Sequence, residues 1–174
     1  MAHTCRSSAI KSTTRGQSSG FTLVELMVTV MIVAIVITIA APSFRSFIDR
    51  TKLSSSANEL GSLIQFARGM AAQRNATVVV CESNGEWTAH ATDCNQDVIR
   101  SVAVRPEIAV SVSANALPIT FYSNGTVGNN LNIRLCRDNK IEDAYKITVT
   151  RAGSTRVWPR GMDENNAAIT SCTA

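Results

Sequence analysis

The spacing of apolar positions divides the chain into three stretches. Residues 21–41 (FTLVELMVTVMIVAIVITIAA) form an apolar run of 21 residues with one charge, Glu25. At ~1.5 Å per residue, a helix of this length spans ~30 Å, the thickness of a bilayer's hydrocarbon core. Pro42 removes a backbone donor and crowds the carbonyl near Thr38, which predicts a bend as the run ends. A helical period then resumes. Leu53, Ala57, Leu60, Ile64, Ala67 and Ala71 recur at spacings of four and three as one apolar stripe. Arg45, Arg50, Lys52, Glu59, Arg68 and Arg74 fall on other faces. The pattern predicts a helix over residues 21–75, ~80 Å long at that rise, apolar all round at first and amphipathic afterwards.

Beyond Asn75 the period shortens to that of strands. Runs at 76–81, 86–91, 98–104, 108–113, 119–122, 131–136, 145–150 and 156–158 are rich in β-branched and aromatic residues. Within 86–91, Trp87, Ala89 and Ala91 share one face. Ser83-Asn84-Gly85, Asn124-Gly125 and Gly128-Asn129-Asn130 supply turn chemistry between runs. The expected fold is therefore α+β: a long N-terminal helix whose amphipathic half packs on an antiparallel β domain over 76–174.

The first twenty residues fit neither pattern, being polar, rich in Ser and Thr, and basic through Arg6, Lys11 and Arg15. Basic residues ahead of an apolar run predict a single-pass protein with a cytoplasmic N-terminus and its C-terminal domain across the membrane. A secretory signal would be cut behind its apolar core at a small-x-small site, and Ala40-Ala41-Pro42 is a poor one because Pro follows directly. A cut in front of the run, after Gly20, removes three of the 17 basic residues and none of the 13 acidic ones. The formal charge then falls from +4 to +1, so bulk charge stops arguing for an acidic partner. At 174 residues the chain holds one domain and an appendage, with 5% aromatics implying a modest core.

Of five cysteines, Cys5 falls within the leader and Cys81, Cys94, Cys136 and Cys172 remain. They lack the CxxC spacing of a zinc ribbon and no histidine pair lies nearby, so two disulfides in an oxidising compartment are expected. Three pairings are open. The simplest joins Cys81 to Cys94, closing a hairpin, and Cys136 to Cys172, tying down the C-terminus.

The segment Gly20-Phe21-Thr22-Leu23-Val24-Glu25-Leu26 resembles the recognition site of prepilin peptidase. It is similar at every position to the type IV pilins and the type II secretion pseudopilins. The resemblance implies cleavage between Gly20 and Phe21 and N-methylation of Phe21. It also implies a role in assembly for Glu25, whose carboxylate costs ~3 kcal/mol within a bilayer and so calls for a purpose. In that family the acidic residue pairs with the N-terminal amine of a neighbouring subunit, and a Pro at the position of Pro42 matches the pattern. Residues 60–75 (LGSLIQFARGMAAQRN) and 118–127 (PITFYSNGTV) resemble the GspH/FimT/FimU minor pilins and pseudopilins. The partners implied are prepilin peptidase, other minor and major pilins, and inner-membrane lipid.

Candidate chemistry is sparse. There is no GxSxG elbow, Walker loop, HExxH or Rossmann fingerprint, so no enzyme activity and no cofactor is expected. His3 lies in the leader and His90 sits alone in a strand, where a solvent-facing position is expected. Glu82, Glu86, Asp93 and Asp97 read as a solvated acidic loop without metal-site spacing. Residues 134–160 carry seven basic residues against three acidic ones, a local charge of +4 suited to phosphate contacts. Within it Arg151, Arg156, Trp158 and Arg160 are the candidate DNA-binding residues, Trp158 being able to stack on an unpaired base. FimT-type pilins that take up DNA carry a Gly-Arg-x-Arg element; Gly153-Ser154-Thr155-Arg156-Val157-Trp158-Pro159-Arg160 matches it loosely. Three functions follow: a minor pilin of a type IV pilus priming assembly at the tip, a GspH-type pseudopilin of type II secretion, and a DNA receptor for natural transformation.

Overall fold

The structure is a computed structural model that describes residues 20–113 and 116–174, the side chain of Pro42 excepted. The leader expected over 1–20, with His3 and Cys5, lies outside the described residues up to position 19. The described residues divide into two units between Ser43 and Phe44. Helix α1, Leu23–Arg74, supplies the described helical part of the first and opens the second. Its assignment continues without a break through position 42.

In the first unit α1 carries apolar side chains on all faces, and from Leu23 to Ile39 every large one is exposed. In the second unit the stripe read from the sequence faces inward. Leu53, Ala57, Leu60, Ile64, Ala67 and Ala71 are buried, joined by Leu63. They meet eight strands: β1 Val78–Ser83, β2 Glu86–Ala91, β3 Val98–Ala103, β4 Ile108–Val112, β5 Ile119–Phe121, β6 Leu131–Arg137, β7 Tyr145–Val149 and β8 Thr155–Val157. These build two four-stranded sheets, ordered β3-β2-β1-β5 and β4-β6-β7-β8. Every pairing is antiparallel. Trp87, Phe121, Ile133, Leu135 and Ile147 close the core against the helix. Each such burial stabilises the fold by roughly 1.5–3 kcal/mol.

Local chemistry sets the connections. Between Ser83 and Glu86, which pair, only Asn84 and Gly85 remain, both at positive φ. This is the two-residue hairpin loop whose twist suits the flanking strands. Glu82 Oε1 accepts the Gly85 N–H at 2.9 Å.

Two disulfides tie loops to sheets, Cys81–Cys94 and Cys136–Cys172. The first folds the segment after β2 back over the sheet face that carries Val79, Cys81, Thr88 and His90. His90 is therefore 6% exposed and does not face solvent as its isolated place in a strand implied. Its Nδ1 donates to the Gln96 carbonyl at 2.7 Å, and Nε2 lies in hydrogen-bond contact with Thr88 Oγ1 at 2.8 Å. The covering loop, invisible to a period-two pattern, is the physical reason for the difference.

A second closure holds the helix to two turns. Arg68 Nε donates to the Gly125 carbonyl at 3.2 Å, and Gly125 and Gly153 both adopt positive φ beside it. A Cβ on Gly153 would lie 1.9 Å from that same carbonyl oxygen. The two segments whose wording resembled minor pilins, 60–75 and 118–127, thus meet in space at Arg68 and Gly125.

Candidate assembly surface

Gly20 and Phe21 precede the first turn of α1, and Phe21 is 78% exposed. Thr22 caps the helix: its Oγ1 accepts the Glu25 N–H at 3.2 Å, one half of a Thr-x-x-Glu capping box. Sequence reading had missed this cap, although the Thr-x-x-Glu spacing announces it. The cap places Glu25 in the first helical turn, where unsatisfied N–H groups and the helix dipole favour a negative charge. Among the described residues the Glu25 carboxylate has no ion-pair or hydrogen-bond partner. A carboxylate and an exposed N-terminal segment are thus presented together at the head of an apolar helix.

The helix behind them is long and apolar enough to cross a bilayer, and none of its most apolar stretch is buried. Apolar surface on this scale is not left in water by a soluble protein. Contiguous exposed apolar surface of this size marks a protein–protein or membrane interaction site.

The C-terminal basic region is mostly committed to the fold. Arg160 pairs with Asp143 at 3.3 Å, and Asp143 also receives Arg50 of α1 at 3.1 Å. Arg137 pairs with Asp49, Lys146 with Glu164, and Arg134 donates to the carbonyls of Ser171 and Thr173. The Lys146 contact holds the Glu164 carboxyl below its ordinary pKa. Asp163 is held down similarly by the N–H groups of Asn165 and Ala167.

Arg156 lies 4.1 Å from the centre of the Trp158 ring, and Trp158 Nε1 donates to Thr148 Oγ1 at 3.0 Å. One face of the indole therefore already carries a guanidinium. Arg151 stands exposed on the turn between β7 and β8, its N–H donating to Asn130 Oδ1 at 2.7 Å. The structure brings Arg156 and Trp158 together and draws Arg160 toward Asp143. Among the described residues no group of three or more His, Cys, Asp or Glu is placed to hold a metal ion.

A long N-terminal helix on antiparallel sheets, with an exposed apolar segment headed by a Glu, defines a pilin-like assembly subunit. Residues 56–153 match the family model described as type II transport protein GspH, and residues 15–41 match the prokaryotic N-terminal methylation motif. The chain belongs to the GspH family of minor pilins and pseudopilins, which are structural subunits and not enzymes. A comparison with curated proteins gives no match.

Among solved structures, the fold is similar to the type IV minor pilin FimU of Pseudomonas aeruginosa strain PAO1. That likeness has 20% identity and a TM-score of 0.61, covering 72% of this chain and 98% of FimU. It is also similar to the minor pseudopilin EpsH of the Vibrio cholerae type II secretion system. There the identity is 10% and the TM-score 0.53, covering 66% of this chain and 99% of EpsH. The methylation motif implies processing by prepilin peptidase and other pilins as partners.

Proposed function

We propose that this protein is a minor pilin of a type IV pilus that joins other minor pilins in a tip complex on which major pilins polymerise. Prepilin peptidase cuts after Gly20 and methylates Phe21. The 21–41 segment then anchors the chain in the inner membrane, with 1–20 cytoplasmic before cleavage and 76–174 in the periplasm. The observation that carries this reading is the exposed apolar helix headed by Glu25, whose carboxylate has no partner among the described residues. In the membrane lipid covers that helix; in the filament the helices of neighbouring subunits do. Glu25 pairs with the Phe21 amine of the next subunit, which offsets the ~3 kcal/mol of holding a carboxylate in a bilayer. Motility, adhesion and DNA uptake follow from the pilus that this assembly starts.

The family description favours a second reading, a GspH-type pseudopilin of a type II secretion system. DNA reception would rest on Arg151 and Arg156, because Arg160 is drawn into the pair with Asp143. The test is to count surface pili in a strain lacking this protein with retraction blocked. Few or no pili is the expected result. Normal piliation would reject the pilus reading and leave protein export and transformation as the assays that separate the other two. In the same strain Glu25→Ala protein should remain membrane-bound and folded yet enter filaments at under a tenth of the normal level.

A further inference from the structure

Exposed apolar side chains recur in the second unit, and most of them gather at one end of it. Of its seven large apolar side chains that are exposed among the described residues, four are Phe44, Phe47, Ile141 and Met162. Ion pairs hold these four near one level of α1. Asp143, which ends the one-turn 3-10 helix Ile141–Asp143, receives Arg50 at 3.1 Å and Arg160 at 3.3 Å. Asp49 pairs with Arg137, so the loop 137–143 lies against α1 over residues 46–53. The Gly161 N–H donates to the Ala144 carbonyl at 2.8 Å, which sets the turn carrying Met162 beside the same loop.

The length of the uncharged part of α1 says what meets this end. Between Glu25 and Arg45 the chain has 19 residues without a charge. At ~1.5 Å per residue they span ~28 Å, close to the ~30 Å hydrocarbon core of a bilayer. With Glu25 at the cytoplasmic face, the core therefore ends at Arg45. Headgroups add ~5–8 Å on each side, or roughly three to five residues of helix. Phe47 falls within that layer, and Asp49 and Arg50, with the loop they hold, fall at its outer limit.

The charges fit the same layer. Within 44–53, 137–143 and 160–162, the acids Asp49, Asp138 and Asp143 are each paired with an Arg. Arg45, Lys52 and Lys140 have no ion pair among the described residues, against one such acid, Glu142. Cations beside exposed apolar side chains suit a membrane surface: the apolar groups enter among the headgroups and the cations meet anionic phosphates.

We propose that this end of the β domain is a second membrane contact, with Phe47, Ile141 and Met162 among the headgroups of the leaflet from which α1 emerges and Arg45 and Lys140 on anionic lipid phosphates. The proposal rests on the anchoring part of the function above and adds a lipid-binding surface on the domain itself. Entry into a filament breaks the contact, so it favours the membrane-resident form of the subunit.

The test places the full chain in vesicles of phosphatidylethanolamine and phosphatidylglycerol. The photocrosslinker p-benzoylphenylalanine replaces Ile141 or, as a distant control, exposed Ala152. Ala152 adjoins Gly153 beside Arg68, about 34 Å further along the helix than Arg45. Mass spectrometry after irradiation reads the fraction of chain joined to phospholipid, which should be at least tenfold higher from position 141 than from position 152. Lys140→Glu, at an exposed side chain without an ion pair, should lower the fraction from position 141 at least threefold. Replacing phosphatidylglycerol by phosphatidylcholine should do the same. Equal fractions from the two positions overturn the proposal, as does a crosslink from position 141 to a second copy of the chain in place of lipid. A fraction that neither change lowers overturns the recognition of anionic phosphate. All fractions are read on chain that the vesicles retain through an alkaline wash. Release by that wash overturns the anchoring reading and this contact with it, whereas retained chain without a lipid adduct at position 141 overturns the contact alone.

Discussion

Helix α1 is one continuous assignment with two kinds of surface, and the contrast locates the function. Over 53–71 its apolar residues form a stripe, and that stripe is buried by the two sheets of the same chain. Over 23–39 they occupy every face, and none of the large ones is buried. A stripe tells how a helix is covered by its own domain; an apolar surface all round tells that the cover comes from elsewhere. On the proposed function the first half serves assembly and anchoring, while the second half serves stability. Substitutions should divide the same way.

The largest stability effect should come from Leu60→Ala. Leu60 is fully buried in the core, where Leu→Ala changes cost about 3–5 kcal/mol, read as a fall in the unfolding temperature of the detergent-solubilised protein. Val33→Ala removes less apolar surface from an exposed position and should leave that temperature unchanged. Equal losses from the two would erase the contrast.

Gly153→Ala should come next, at about 3 kcal/mol. It combines positive φ with a Cβ placed 1.9 Å from the Gly125 carbonyl, and backbone strain alone costs about 1–3 kcal/mol. Chemical denaturation would measure it, and Arg68 should lose its bond to Gly125 in the same variant.

The smallest effect belongs to Glu164. Its partner Lys146 is 5% exposed, whereas Glu164 itself is 41% exposed, so solvent screens only one side of the pair. Glu164→Gln should cost about 1 kcal/mol, a charged hydrogen bond discounted for the exposure of the carboxylate. The sign with pH follows from the lowered carboxyl pKa. Its contribution is fully present above the ordinary value of 4.5 and fades as pH falls through the lower folded-state value. Unfolding measured from pH 7 down to pH 3 should show the variant converging on the parent at the acid end.

Elements with a period were legible in the sequence. Each strand run lies within two residues of its observed strand, and the stripe from Leu53 to Ala71 faces inward as its spacing required. Features that depend on a distant partner were not. The burial of His90 comes from a loop folded back between Cys81 and Cys94, which alternation cannot register. The basic region looked like a patch of charge because Asp49, Asp143 and Glu164 lie far from their partners in sequence or count only as scattered acids. The segments 60–75 and 118–127 were recognisable as wording, but their meeting at Arg68 and Gly125 gives that wording its physical reason.

A processed subunit of this kind must keep its N-terminal helix through maturation. Mass spectrometry of the mature N-terminus, on protein from membranes and from sheared surface filaments, tests this most directly. A chain beginning at N-methylated Phe21 is expected in both fractions. An uncut chain in filaments, or one cut behind residue 41 and so stripped of its apolar helix, would contradict it.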